Sequence, residues 1–123
     1  MRKRYLVCFI IALALLLSGC KGGGGPTTPI RHVTILEESW SKEYNEDSER
    51  WNAEVTAVAV NDGQVTLEYA EIWCRWLDTS EQVIVDRVAT TENWPRNQTW
   101  NLTWRLGSNT EPGGYELWVG TLT

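Results

Sequence analysis

Few side chains in this 123-residue chain have the type and spacing that chemistry requires. Nucleophilic catalysis needs a nucleophile beside an oriented base. The single histidine, His32, stands apart from any serine–acid pattern and is expected in an edge strand as a partly exposed side chain. Of three cysteines, Cys8 lies in an apolar N-terminal run, Cys20 ends it, and Cys74 stands alone further on. Cys74 alternates with apolar residues, which predicts a buried thiol of raised pKa, with an intermolecular disulfide as the alternative. No CxxC, HExxH, P-loop or GxSxG pattern occurs. The segment Glu37–Arg50 holds six acids, which calcium could use, but it lacks the glycine and distal glutamate of an EF-hand loop. It reads as a solvated polar loop. Two acids could in principle cleave a glycoside, yet nothing among sixteen of them selects a pair. No catalytic residue, metal ligand or cofactor is therefore assigned, and the expectation is a protein that is not an enzyme.

Two other kinds of chemistry are legible. Asn97-Gln98-Thr99 and Asn101-Leu102-Thr103 are glycosylation sequons on what alternation makes a polar face. Indoles that point outward can stack on a ligand or a partner, and Trp73 and Trp118 are the outward candidates among eight tryptophans. Arg75 is placed to cover Trp73 by cation–π packing.

The elements that position these residues begin with an export segment. Basic Arg2, Lys3 and Arg4 precede an apolar run from Tyr5 to Leu17. That run spans roughly 20 Å as a helix, short of a bilayer core of about 30 Å but suited to a signal peptide. It ends in Leu17-Ser18-Gly19-Cys20, which closely resembles the lipobox of prokaryotic lipoproteins. The resemblance implies cleavage after Gly19, a diacylglyceryl group on Cys20, and stable attachment outside the cytoplasm to the cell membrane or outer membrane. Residues 20–29 then form a tether of four glycines stiffened by Pro26 and Pro29. With Arg2, Lys3 and Arg4 set aside, 8 basic and 16 acidic residues leave a net charge of −8. Such a surface repels phosphate backbones, which disfavours nucleic acid as a partner.

Residues 30–123 carry short segments rich in valine, threonine and tryptophan, punctuated by Asn61-Asp62-Gly63 and Pro112-Gly113-Gly114. Strands are predicted near 31–38, 51–60, 65–77, 82–90, 99–106 and 115–122. Six or seven short strands at this spacing predict a small antiparallel β-sandwich. Alternation places Ala70, Ile72, Cys74 and Trp76 on one face against Glu71, Trp73 and Arg75. It likewise groups Trp100, Leu102, Trp104 and Leu106, and sets Tyr115, Leu117 and Val119 against Glu116 and Trp118. The strand 51–60, apolar on both faces around Ala57–Val60, is expected to be central.

Val55-x-Ala57-x-Ala59-x-Asn61-x-Gly63, Leu67-x-Tyr69 and Ala70-x-Ile72-x-Cys74-x-Trp76-Leu77-Asp78 resemble the FxLYD-type domain of prokaryotic surface lipoproteins, as does Trp94-Pro95-Arg96-Asn97-x-x-Trp100. The resemblance covers residues 50–120 and implies an immunoglobulin-like sandwich fold and extracytoplasmic placement, not a reaction. Two glycines expected from it are missing: Thr79-Ser80-Glu81 follows Asp78, and Asn97 stands in the other place. Two functions are consistent with these features. One is a membrane-anchored scaffold that contacts another envelope protein. The alternative is a carbohydrate-binding module that stacks Trp73 and Trp118 on a surface polysaccharide.

Overall fold

A computed structural model describes residues 28–123 and the backbone of residues 2–4. Residues 5–27, which hold most of the expected signal peptide with Gly19, Cys20 and most of the tether, lie outside the described residues. The described chain is all-β: β1 (Arg2–Arg4), β2 (Val33–Asn45), β3 (Arg50–Asn61), β4 (Leu67–Asp78), β5 (Val83–Trp94), β6 (Thr99–Ser108) and β7 (Pro112–Leu122). They form two sheets, ordered β1-β7-β4-β5 and β2-β3-β6. All pairings among the six long strands are antiparallel, and only the short β1 runs parallel to its neighbour β7.

The predicted sandwich is present, and its core follows the predicted parity. Val55, Ala59, Ala70, Ile72, Cys74, Trp76 and Tyr115 are fully enclosed between the sheets, with Leu102, Trp104, Leu106 and Leu117 nearly so. Among the described residues, the buried core runs from Val33 to Leu117. Trp40, Trp76 and Tyr115 form a mutually packed aromatic group with centroids 6.0–6.5 Å apart. A second aromatic contact, Trp94 edge-on to Trp100 at 5.4 Å, closes the far end. As expected, β3 is central in its sheet.

The polar loop expected over Glu37–Arg50 is instead mostly strand. A bulge between Ile35 and Glu37 turns exposed Leu36 outward and resets the parity of β2. Glu38, Trp40 and Lys42 thereafter share the inward side of an edge strand. Tyr115 Oη donates to Glu38 Oε1 at 3.0 Å, and Lys42 Nζ donates to Glu111 Oε2 at 2.7 Å and to the Pro112 carbonyl at 2.9 Å. Charges turned inward along an edge blunt it against pairing with another chain. Only a tight turn at 46–49 remains of the loop, held by Asn45 Oδ1 accepting from the Asp47 and Ser48 amides.

The two positions where glycine was expected take left-handed backbone without it. Glu81 has φ 64° and Asn97 φ 62°. At the first, Asp78 Oδ1 accepts from the Ser80 and Gln82 amides at 2.8 Å each, and the Asp78 carbonyl accepts from the Glu81 amide. Those bonds hold a conformation that costs a residue with a Cβ about 1 kcal/mol.

Asn61 ties the β3–β4 turn to the β5–β6 turn. It is fully buried. Its Nδ2 donates to the Trp94 and Val65 carbonyls at 2.8 and 3.0 Å, and its Oδ1 accepts from the Gly63 amide at 3.1 Å. The chain entering the domain docks at the same end. Ile30 exchanges bonds with Gln64, and a Cβ on Gly63 would lie 2.7 Å from the His32 nitrogen.

Candidate functional site

Trp73 on β4 and Trp118 on β7 lie directly opposite one another in register, on the outer face of the four-stranded sheet. Neither belongs to the core; both are half-buried. Their rings are parallel within 6°, with centroids 6.0 Å apart. The row continues across β4 to β5, where Val88 is the register partner of Trp73 and is 42% exposed. Three outward apolar side chains thus cross three strands as one strip.

The neighbouring rows fix the strip in place. On one side Glu71 accepts from Tyr69 Oη at 2.6 Å, from the Thr121 amide at 3.0 Å and from Trp73 Nε1 at 3.4 Å. These donors, the tyrosine hydroxyl first, hold the Glu71 carboxyl below the ordinary range, and the same bond pushes the Tyr69 hydroxyl up. Gly120 lies beneath this corner: a Cβ there would sit 2.7 Å from Trp73 Nε1 and 2.8 Å from Glu71 Oε1. A glycine inside a strand often marks such a close approach.

On the other side, Arg75 is flanked in register by Asp86 and Glu116. Its Nε and Nη2 donate to the two Asp86 oxygens at 2.8 and 3.1 Å. That two-pronged bond raises the guanidinium pKa and lowers the Asp86 carboxyl. The guanidinium carbon lies 5.1 Å from the Trp118 centroid, over the ring. The expected cation–π cover is therefore on Trp118, not Trp73. Alternation along β4 identifies the face Arg75 shares with Trp73, but the lean of a long side chain across strands depends on which strand is the neighbour.

The remaining candidates are dispersed. His32 precedes β2 rather than lying in it, and its ring is largely covered. Its Nδ1 meets Asp62 Oδ1 at 2.6 Å, while Thr34 Oγ1 donates to the other Asp62 oxygen. These contacts fasten the start of the domain to the β3–β4 turn and bring no nucleophile to the imidazole. Cys74 is fully enclosed, and burial first, then the Asp86 and Glu38 charges, push its thiol up to about 12. Asn97 and Asn101 are exposed. Among the described residues no group of three or more histidine, cysteine, aspartate or glutamate side chains converges as a metal site would require. A hollow of about 190 Å³ at the opposite end is lined by Lys42, Leu77, Asp78, Thr79, Glu81, Gly113 and Gly114, and its lysine is already engaged.

No family model and no curated protein matches the chain. Among solved structures it is similar to the crystal structure of an ApaA protein from Bordetella pertussis, at 14% identity and a TM-score of 0.49, covering 69% of this chain and 73% of that one.

Proposed function

We propose that the domain is a non-catalytic protein-contact module, held outside the cytoplasm by lipid on Cys20, with the Trp73–Trp118–Val88 strip as its contact surface. Placement outside the cytoplasm rests on the lipobox resemblance, and the FxLYD-type reading of residues 50–120 accords with it. One observation carries the preference for protein over sugar. Trp118 is already covered by the Arg75 guanidinium. A sugar platform needs open indole faces, whereas the residues that carry protein interfaces are enriched in tryptophan and arginine. Carbohydrate binding stays the second reading, because both indoles lie on one face with parallel rings.

A photo-crosslinking side chain at Val88, compared with one at Asn52 on the outer face of the other sheet, tests the reading in intact envelopes. A discrete protein adduct from position 88 alone is expected. Equal labelling from both faces, or a polysaccharide adduct at position 88, would overturn it.

A further inference from the structure

We infer that the β7 edge of the four-stranded sheet receives an extended, proline-free segment of the partner protein as an added parallel strand, in the place that β1 takes. This rests on the protein-contact and lipid-anchor reading above, and adds the way in which the partner is held.

A sheet edge presents backbone donors and acceptors to any chain that can run alongside it, and proteins blunt such edges with lysine, proline, bulges or inward charge. β2 is blunted by its bulge and by inward Glu38 and Lys42. The middle of β7 has no such device. Register shifts place bulges near Gly113 and at Gly120–Thr121, and the stretch between them, Gly114–Val119, is regular. It holds no lysine or proline and one charge, Glu116. Its inward residues Tyr115, Leu117 and Val119 pack on the core.

This edge already takes a strand. Arg2, Lys3 and Arg4 pair in parallel with Gly114, Tyr115 and Glu116. Among the described residues no strand lies beside Leu117–Leu122 on that side. Residues 2–4 belong to the expected leader, so cleavage after Gly19 removes β1 from the anchored protein. The backbone groups that β1 engaged then turn to another chain or to water.

The register selects the occupant. Paired residues share a face, so a strand prolonged in the β1 register sets one side chain beside Trp118 on the outer face. That position extends the Val88–Trp73–Trp118 row by one strand. Main-chain bonds supply the affinity of such an added strand, and side chains at alternate positions supply its selection. A β-branched or aromatic residue beside Trp118 suits the row, because such cross-strand neighbours stabilise a sheet. A second copy of this chain fits less well. A twofold pairing of β7 with β7 that keeps both cores on one side of the sheet runs antiparallel, whereas the strand seated here is parallel.

The test uses the isotope-labelled protein extracted from membranes into detergent micelles, whose mass reports cleavage and lipid, and the peptide Thr-Val-Thr-Val-Ile-Val. A control peptide with the same side chains is N-methylated at every residue. The plain peptide should slow amide exchange within Gly114–Val119 about fivefold at saturation, the weight of one net backbone hydrogen bond. It should also shift the Trp118 indole more than the Trp73 indole, and the methylated peptide should do neither. A nitroxide on the peptide N-terminus should broaden the Gly114 amide more than the Val119 amide, as parallel pairing requires. No protection at millimolar peptide, equal effects of both peptides, protection on β5 instead, or the opposite nitroxide pattern would overturn the inference. Protection of Gly114–Val119 that grows with protein concentration in the absence of peptide would assign the edge to a second copy and overturn it too. Absent protection together with a protein adduct at position 88 would reject strand addition and leave the contact surface in place. An uncleaved mass would reject the anchor reading as well, because β1 would keep its seat.

Discussion

Asn61→Ala should be among the most damaging single substitutions in this domain, although it removes only a small polar group. The side chain is fully buried and makes three hydrogen bonds to backbone groups of two different turns. Each bond contributes about 1 kcal/mol net, and truncation also strands the Trp94 and Val65 carbonyls and the Gly63 amide away from water. The expected loss is about 3–5 kcal/mol. A domain of this size has a total stability of roughly 5–10 kcal/mol, so the variant should lose about a third of it or more. Urea denaturation followed by tryptophan fluorescence should show the midpoint falling by roughly 2–3 M. Asn61→Asp supplies a second, pH-resolved measurement. It keeps an acceptor for Gly63 but turns a carboxylate oxygen toward two carbonyls. Burial and those carbonyls would raise its pKa above the unfolded value of about 3.9. Its contribution is then fully present below about pH 4 and lost as pH rises through the folded value, so the deficit should be least in acid. A loss below about 1 kcal/mol in Asn61→Ala, or a deficit in Asn61→Asp that does not change with pH, would refute the role assigned to these bonds.

Four further outcomes are expected. Cys74 should react with a thiol reagent only on unfolding, and the raised thiol pKa of about 12 means that stability falls as pH climbs from about 9 towards that value; rapid native labelling would show the core packing to be otherwise. Gly120→Ala should displace the Trp73 ring from its present position, changing the near-ultraviolet circular dichroism of the Trp73–Trp118 pair; an unchanged spectrum would count against their close packing on Gly120. Glu81→Gly should stabilise the domain by about 0.5–1 kcal/mol in thermal or urea unfolding by relieving the left-handed backbone at φ 64°. Cys20→Ser should abolish incorporation of a fatty-acid probe, and persistent labelling would contradict lipidation at that residue.

Parity made much of the fold legible. In a strand, successive side chains point to opposite faces, so local alternation was enough to separate Ala70, Ile72, Cys74 and Trp76 from Glu71, Trp73 and Arg75. The same rule placed Trp118 outward and Tyr115 and Leu117 inward. It failed over Glu37–Arg50, where acidic residues look like a loop and a one-residue bulge silently exchanges the two faces. The signal for Asn61 was visible as a turn, but its bonds to Trp94 and Val65 were not, because one of them spans 33 residues.

The sequence by itself determined the strand class and the inward and outward sets, and residues 1–29 supplied the expectation of export and a lipid anchor. Tertiary structure alone decided which strands became neighbours. Alternation records a side chain's face but not its partner across the sheet, since that partner is chosen by long-range pairing among six strands. Only once β7 lay beside β4, and β5 on its other edge, did Trp118, Trp73 and Val88 become one strip. The same neighbours turned Arg75 onto Trp118, and that gathering, not any single residue, makes the face a candidate site.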